Sequence, residues 1–221
     1  MKRILLFSLF TLISWSTFSQ TQPTGLWLMY FGKNKINNNW SIHTEVQHRN
    51  YEIIPNLEQL LLRTGINYQY KPNLMITAGY GYIGNYDPLL ENDKFLMDEH
   101  RVWQQFILKN TVSSVKIEHR YRIEQRWVNA NYSNRLRYRL LITIPLTKKE
   151  NSFYLNFYDE VFLNTKNIYF DRNRIYGALG KKFSETITIE SGILNQTTNQ
   201  ISKWNLQLGI FYNPDFSKKE N

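Results

Sequence analysis

Two runs in the middle of the chain hold most of the residues whose types and spacing could do chemistry. Glu118, Arg120, Arg122, Glu124 and Arg126 share one parity of the run Val115–Trp127, together with Lys116; Arg135, Arg137 and Arg139 share one parity of Arg135–Ile144. Arginine keeps its charge and presents planar, paired donors that match carboxylate or phosphate. Guanidinium groups at every second residue can therefore lock onto carboxylates as a salt-bridged filling, or stand as a cationic constriction for small anions. Within these runs the cations outnumber Glu118 and Glu124, which favours the constriction. Glu45, Glu99, Glu160 and Glu190 return acidic partners from elsewhere, which favours the filling. With Arg101 on a third run, Arg101, Glu118, Arg120, Arg122, Glu124, Arg126, Arg135, Arg137 and Arg139 form the candidate binding set.

Histidine offers the competing chemistry. His119 falls on the opposite, apolar parity, among Val115, Ile117, Tyr121, Ile123 and Trp127. A lipid hydrolase would need a histidine base beside a serine, oriented by a third polar group. Ser113 and Ser114 fall at a turn, and the partner expected for His119 is Gln104 across the neighbouring hairpin. No catalytic residue is assigned on this basis. His43 shares the inner parity with Glu45, but two ligands do not make a metal site, and neither a metal nor a cofactor is expected.

These charges need elements that send alternate side chains to opposite faces, which is what β-strands do. Eleven candidate strands follow in order: Gly25–Lys33, Trp40–Arg49, a hairpin over 57–70 and 74–82, 98–110, 115–127, 135–146, 153–161, 170–183, 187–193 and 201–212. Along 201–212, Trp204, Leu206, Leu208, Ile210 and Tyr212 oppose Lys203, Asn205, Gln207 and Gly209. Residues 84–97 read as the longest loop, and 128–134 as the loop between the two arginine runs. In-phase pairing of those runs places Glu124 beside Arg137 and Arg122 beside Arg139. Asp159 falls on an apolar parity, which predicts a bulge or a position beyond the hydrocarbon.

An apolar face opposite so ionic a face suits a membrane barrel, with lipid outside and charges in the lumen. Apolar parities end in Trp40, Tyr70, Tyr82, Trp127, Trp204 and Tyr212, as interfacial girdles do. Gly65, Gly79, Gly81, Gly192 and Gly209 fall on the inner parity, where they relieve crowding as a sheet closes. The fold class is therefore all-β, an antiparallel transmembrane β-barrel of about 10–12 strands with short periplasmic turns and longer external loops. Single-chain bacterial barrels have an even number of strands, so Gly25–Lys33 either packs in the lumen or joins the wall with a twelfth strand around 86–97. Without it, ten strands place both ends of the barrel on the periplasmic side.

The start of the chain carries an export signal: Lys2 and Arg3, the apolar Ile4–Ile13, and Thr17-Phe18-Ser19 ahead of Gln20. The domains are then 1–19, a cleaved signal peptide, and 20–221, one barrel. Among 221 residues none is cysteine, which excludes disulfides, thiolate metal sites and thiol catalysis. Losing Lys2 and Arg3 takes 27 basic residues to 25, against 18 acidic ones. Export makes lipid headgroups, lipopolysaccharide or small anionic solutes the expected counterparts of that excess, and not nucleic acid.

Glu99-His-Arg-Val-Trp-Gln-Gln105, Glu118-His-Arg-Tyr-Arg-Ile-Glu-Gln-Arg-Trp127, Asp171-Arg-Asn-Arg174 and Leu194-Asn-Gln196 resemble signatures of an outer-membrane barrel family catalogued as domain of unknown function 2490. The resemblance covers about Trp27 to Tyr212. It implies an outer-membrane barrel of a Gram-negative cell and supplies no activity and no catalytic residues. Gln207-Leu-Gly209 with Tyr212 resembles a signal for the barrel-assembly machinery, although the chain continues past Pro214 to Asn221. The functional expectation is a small structural barrel with a salt-bridged Arg/Glu lumen. A narrow anion-preferring pore and a lipid hydrolase are its two alternatives.

Overall fold

The computed structural model describes residues 22–54, 56–87, 94–147, 153–166 and 169–217. Residues 1–19, read as a signal peptide, lie outside them. The described residues form eleven strands and no helix: β1 Gly25–Lys35, β2 Trp40–Asn50, β3 Leu57–Lys71, β4 Leu74–Asp87, β5 Lys94–Val112, β6 Val115–Val128, β7 Asn131–Pro145, β8 Phe153–Asn164, β9 Phe170–Lys182, β10 Ile187–Thr197 and β11 Ser202–Tyr212. Each strand pairs antiparallel with its sequence neighbours, and the sheet closes between β1 and β11. Closure leaves no unpaired edge of backbone donors and acceptors.

The closing seam corrects the expectation of a wholly antiparallel barrel. β1 pairs with β11 in parallel, from Gly25↔Asn205 to Gly32↔Tyr212. Gly25–Lys33 therefore neither lies in the lumen nor waits for a twelfth strand. An odd strand count forces this geometry, because two strands running the same way must meet somewhere. It also places the start of β1 and the end of β11 at opposite mouths, where the ten-strand reading had both ends together. The chain after Tyr212 prolongs the seam: the Lys35 amide donates to Pro214 O at 3.0 Å and the Phe216 amide to Lys35 O at 2.9 Å.

Two expected loops are largely strand. Residues 84–87 and 94–97 extend β4 and β5, leaving only 88–93 outside the described residues. The loop expected at 128–134 is the two-residue turn Asn129–Ala130, with φ of 45° and 67°. Positive φ at both positions is the geometry that matches the twist of a tight hairpin. Asp159 causes no bulge, since the β7–β8 register runs unbroken from Arg135↔Asn164 to Pro145↔Tyr154. It stays on the outer face and accepts a hydrogen bond from Asn173.

Strand alternation sorts the side chains as the sequence pattern predicts. Ile66, Phe106, Ile123, Ile175, Ile193 and Leu208 face out, all exposed. Near one mouth stand Trp40, Tyr70, Phe183 and Tyr212; near the other stand Trp127, Tyr132 and Trp204. The residues hidden from solvent lie in the lumen and are mostly polar: Glu45, Arg63, Glu99, Arg101, Gln105, Arg122, Glu124, Arg135, Arg137, Glu160, Arg174 and Glu190 are all buried. Trp103, Phe162, Leu194 and Trp27 are buried among them.

Candidate functional site

The site is the lumen, and the hairpin β6–β7 builds its ionic half. All nine candidate residues lie on inward parities. The register is shifted by two from the expected one: Glu124 faces Arg135, Arg122 faces Arg137 and Arg120 faces Arg139. The cause is the tight turn at Asn129–Ala130, which fixes a pairing that a longer loop would have left free.

Glu124, with 0% exposure, is the node. Arg135 donates to its Oε2 at 2.6 Å and Arg137 to its Oε1 at 2.7 Å. Arg122 Nη1 stands 3.6 Å away and Arg63 Nη2 4.0 Å away. One carboxylate thus faces four guanidinium groups. Neighbouring carboxylates share them: Arg137 also donates to Glu160 at 2.8 Å, Arg120 to Glu160 at 2.6 Å, Arg63 to Glu45 at 2.8 Å, and Arg139 to Glu118 at 2.6 Å. Arg101 donates to Glu99 at 2.7 Å, and Arg126 donates to the same carboxylate. Arg135 also reaches Asp171 at 3.2 Å. Such a network is tolerable away from water because each charge meets an opposite one.

Aromatic faces fill what carboxylates leave. Arg122 and Arg63 sit 4.7 and 5.7 Å from the Trp103 ring, and Arg137 and Arg174 sit 4.3 and 4.8 Å from Phe162. Arg49 and Arg174 lie 4.0 and 5.0 Å from Trp27. Neither Arg49 nor Arg174 forms an ion pair among the described residues. Gln47 and Gln59 accept from Arg49, and Gln196 accepts from Arg174 at 2.8 Å. A desolvated cation over an aromatic face gains about 2 kcal/mol, which offsets part of the missing ion pair. Trp27, Arg49, Phe162 and Gln105 were outside the candidate set. Trp27 belonged to the strand without an assigned place, and the inward parity of Arg49 and Gln105 was the signal available for those two.

Several donors end without an acceptor. Arg120 Nε, Arg122 Nη1, Arg139 Nε and Arg63 Nε are buried and make no hydrogen bond, as are both indole nitrogens, Trp27 Nε1 and Trp103 Nε1. A cavity of about 460 Å³ is lined by Arg120, Arg122 and Arg139, by Lys33, Glu118 and Glu190, and, among its apolar members, by Phe31, Ile107, Leu141 and Phe211.

The outward polar residues pair with one another, though not as expected. His119 Nδ1 meets the Tyr138 hydroxyl at 2.9 Å, while Gln104 bonds Gln125. His119 therefore has a phenol for a partner where a hydrolase would need a serine. His43 Nε2 lies 3.0 Å from Glu45 Oε2, and Arg63 draws that carboxylate into the lattice.

A family model described as "Protein of unknown function (DUF2490)" matches residues 24–207. The chain is 30% identical over 162 residues to an uncharacterized protein of Methylorubrum extorquens, a match covering 69% of this chain and 69% of that one. No solved structure matches.

Proposed function

The chain belongs to the DUF2490 family of proteins of unknown function, and from that premise we propose that it is an outer-membrane β-barrel of a Gram-negative cell, a small structural barrel whose Arg/Glu lattice closes the lumen. One observation carries the reading: the barrel is inverted relative to a soluble one, with exposed Leu, Ile and Phe outside and buried ion pairs inside. In lipid that exterior is solvated by hydrocarbon, and closure satisfies every backbone group within the sheet. The shortest strands have 11 residues, enough for a tilted crossing, which takes about 9–11. Exposed tryptophan and tyrosine at both mouths fit the two interfaces.

The orientation follows from β11. Its end, with the tight turns at 72–73 and 113–114, faces the periplasm in this reading, as an assembly signal around Gln207–Tyr212 requires. The start of β1 then opens toward the outside. Residues 1–19 are the cleaved export signal, and lipopolysaccharide and the assembly machinery are the partners.

The test is fractionation with heat-dependent migration in detergent. The protein is expected to sediment with outer membranes and to run as a compact form until boiled. A soluble periplasmic pool would refute the placement. In planar bilayers the refolded barrel is expected to be silent, and anion-selective current steps would refute closure of the lumen.

A further inference from the structure

Three neighbouring strands carry a polar side chain at their middle on the outward face. Tyr121 is central in β6 (Val115–Val128), Tyr138 in β7 (Asn131–Pro145) and Asp159 in β8 (Phe153–Asn164), and all three are exposed. The register joins them. Tyr121 faces Tyr138, with ring centroids 5.0 Å apart, and Asp159 faces Leu140, the next outward residue of β7. On β9 and β11 the outward residues beside the middle are Ile175, and Leu206 with Leu208.

Hydrogen bonding within this sector is incomplete. Tyr138 is bonded to His119, and Gln104 to Gln125. The Tyr121 hydroxyl has no hydrogen-bond partner among the described residues. Asp159 has one: Asn173 Nδ2 donates to its Oδ1 at 2.5 Å, and Oδ2 is left without a donor. A carboxylate midway along a lipid-facing strand is costly unless something polar covers it. Lipid headgroups cannot do so, because they stay at the interfaces, about 15 Å from the midplane of a hydrocarbon core about 30 Å thick. The cover has to be protein.

We propose that the protein is a two-fold dimer joined through the outer face of β6–β8, with the Tyr121 hydroxyl of each copy donating to the Asp159 carboxylate of the other. A second copy supplies what the first lacks, since the spare donor and the spare acceptor lie on one face at similar depth. A two-fold axis along the membrane normal then forms both bonds at once, as an isologous interface requires. Tyr138, on the strand between them, lies at the axis. The proposal rests on the outer-membrane placement, because in water the same carboxylate would need no cover. It leaves the closed lumen as described.

The chain has no cysteine, so a single introduced thiol reports its neighbour in native membranes. Tyr138→Cys, treated in isolated outer membranes with a short bis-maleimide, should give a band of twice the chain's mass, and Leu208→Cys on β11 should not. The full mature chain refolded in detergent should sediment as a dimer that dissociates on dilution into micelles. Asp159→Leu and Tyr121→Phe each remove one partner from both symmetric bonds. Each should weaken the dimer about a hundredfold, about tenfold for each charged hydrogen bond lost. Should Asp159→Leu not refold to the heat-modifiable form, Tyr121→Phe, which deletes one oxygen from an exposed ring, carries the test. A monomer at every concentration, a dimer indifferent to the substitutions, or crosslinking of Tyr138→Cys to a protein of another mass overturns the dimer and leaves the outer-membrane placement standing. A soluble periplasmic pool overturns the placement itself, so fractionation shows which of the two has failed.

Discussion

The lumen holds two buried tryptophans in similar company but different circumstances. Trp103, 0% exposed, lies near Arg63 and Arg122, and both of those cations reach carboxylates, Glu45 and Glu124. Trp27 lies near Arg49 and Arg174, whose side-chain hydrogen bonds among the described residues go to glutamine. On the Trp27 side the packing is also more apolar, with Tyr176, Ala178 and Leu194. The barrel thus neutralises buried guanidinium in two ways: by a carboxylate lattice on one side, by aromatic faces and amides on the other. The first is strong and unforgiving, because removing one partner strands a charge. The second is weaker and tolerant, because the side chains that hydrogen-bond these cations are neutral.

The largest effect is expected where Trp103 meets its floor. A Cβ on Gly79 would lie 2.2 Å from Thr64 O and 2.6 Å from the Trp103 ring. Neither can yield, since the carbonyl belongs to the sheet and the indole is enclosed. Gly79→Ala should therefore abolish refolding to the heat-modifiable form, the kind of loss above about 4 kcal/mol that overpacking against fixed backbone produces. Gly81→Ala, whose nearest neighbour would be at 3.5 Å, should refold normally. Equal behaviour of the two would mean that the Trp103 seat is not tight.

Next comes the direct test of the two kinds of neutralisation. Glu124→Gln leaves four guanidinium groups around a neutral amide, and should cost about 3–5 kcal/mol in denaturant unfolding of the refolded barrel. Arg174→Gln removes a cation that no carboxylate hydrogen-bonds among the described residues, although it faces Glu160 across the β8–β9 rung. The lost aromatic contacts and the lost attraction to Glu160 are opposed by the relieved repulsion from neighbouring arginines. The net change should stay within about 1 kcal/mol. A large cost for Arg174→Gln would break the comparison by showing that aromatic faces hold this side as firmly as carboxylates hold the other.

The ionic side was legible in the sequence and the aromatic side was not, for a physical reason. Alternation has a period of two, so Glu118 to Arg126 and Arg135 to Arg139 announce their shared face without knowledge of any partner strand. Partner choice is different, since it depends on register. A seven-residue loop at 128–134 and a two-residue turn at Asn129–Ala130 fit the same residues, yet they differ by one diagonal step in which arginine faces Glu124. His119 shows the same limit, because its bond to Tyr138 is set by register and not by pattern. Trp27 was missed for a larger reason. Its strand closes the barrel through a parallel pairing across almost the whole chain, with Gly25 beside Asn205, and no local signal reports a contact of that range.

The smallest effect lies at the mouth where that seam ends, and it concerns an ion pair in water. Lys35 Nζ meets Asp215 Oδ2 at 2.9 Å. Hydrogen bonds from Ser217, and then from Lys35, hold the Asp215 carboxyl down to about 2, below its ordinary value of 3.8. A carboxylate depressed by folding adds stability that is present above its ordinary value and lost as pH falls through the depressed one. Asp215 should therefore help hold the tail on Lys35 at neutral pH and let go between about pH 4 and pH 2. The readout is hydrogen exchange at the Phe216 amide, which donates to Lys35 O at 2.9 Å, expressed as protection relative to the unfolded chain at each pH. Protection should fall across that interval in the wild type, and Asp215→Asn should be low and flat throughout. The change should be small, since an exposed pair contributes little and is screened by salt. Protection as sensitive to pH in Asp215→Asn as in the wild type would show that another group holds the tail.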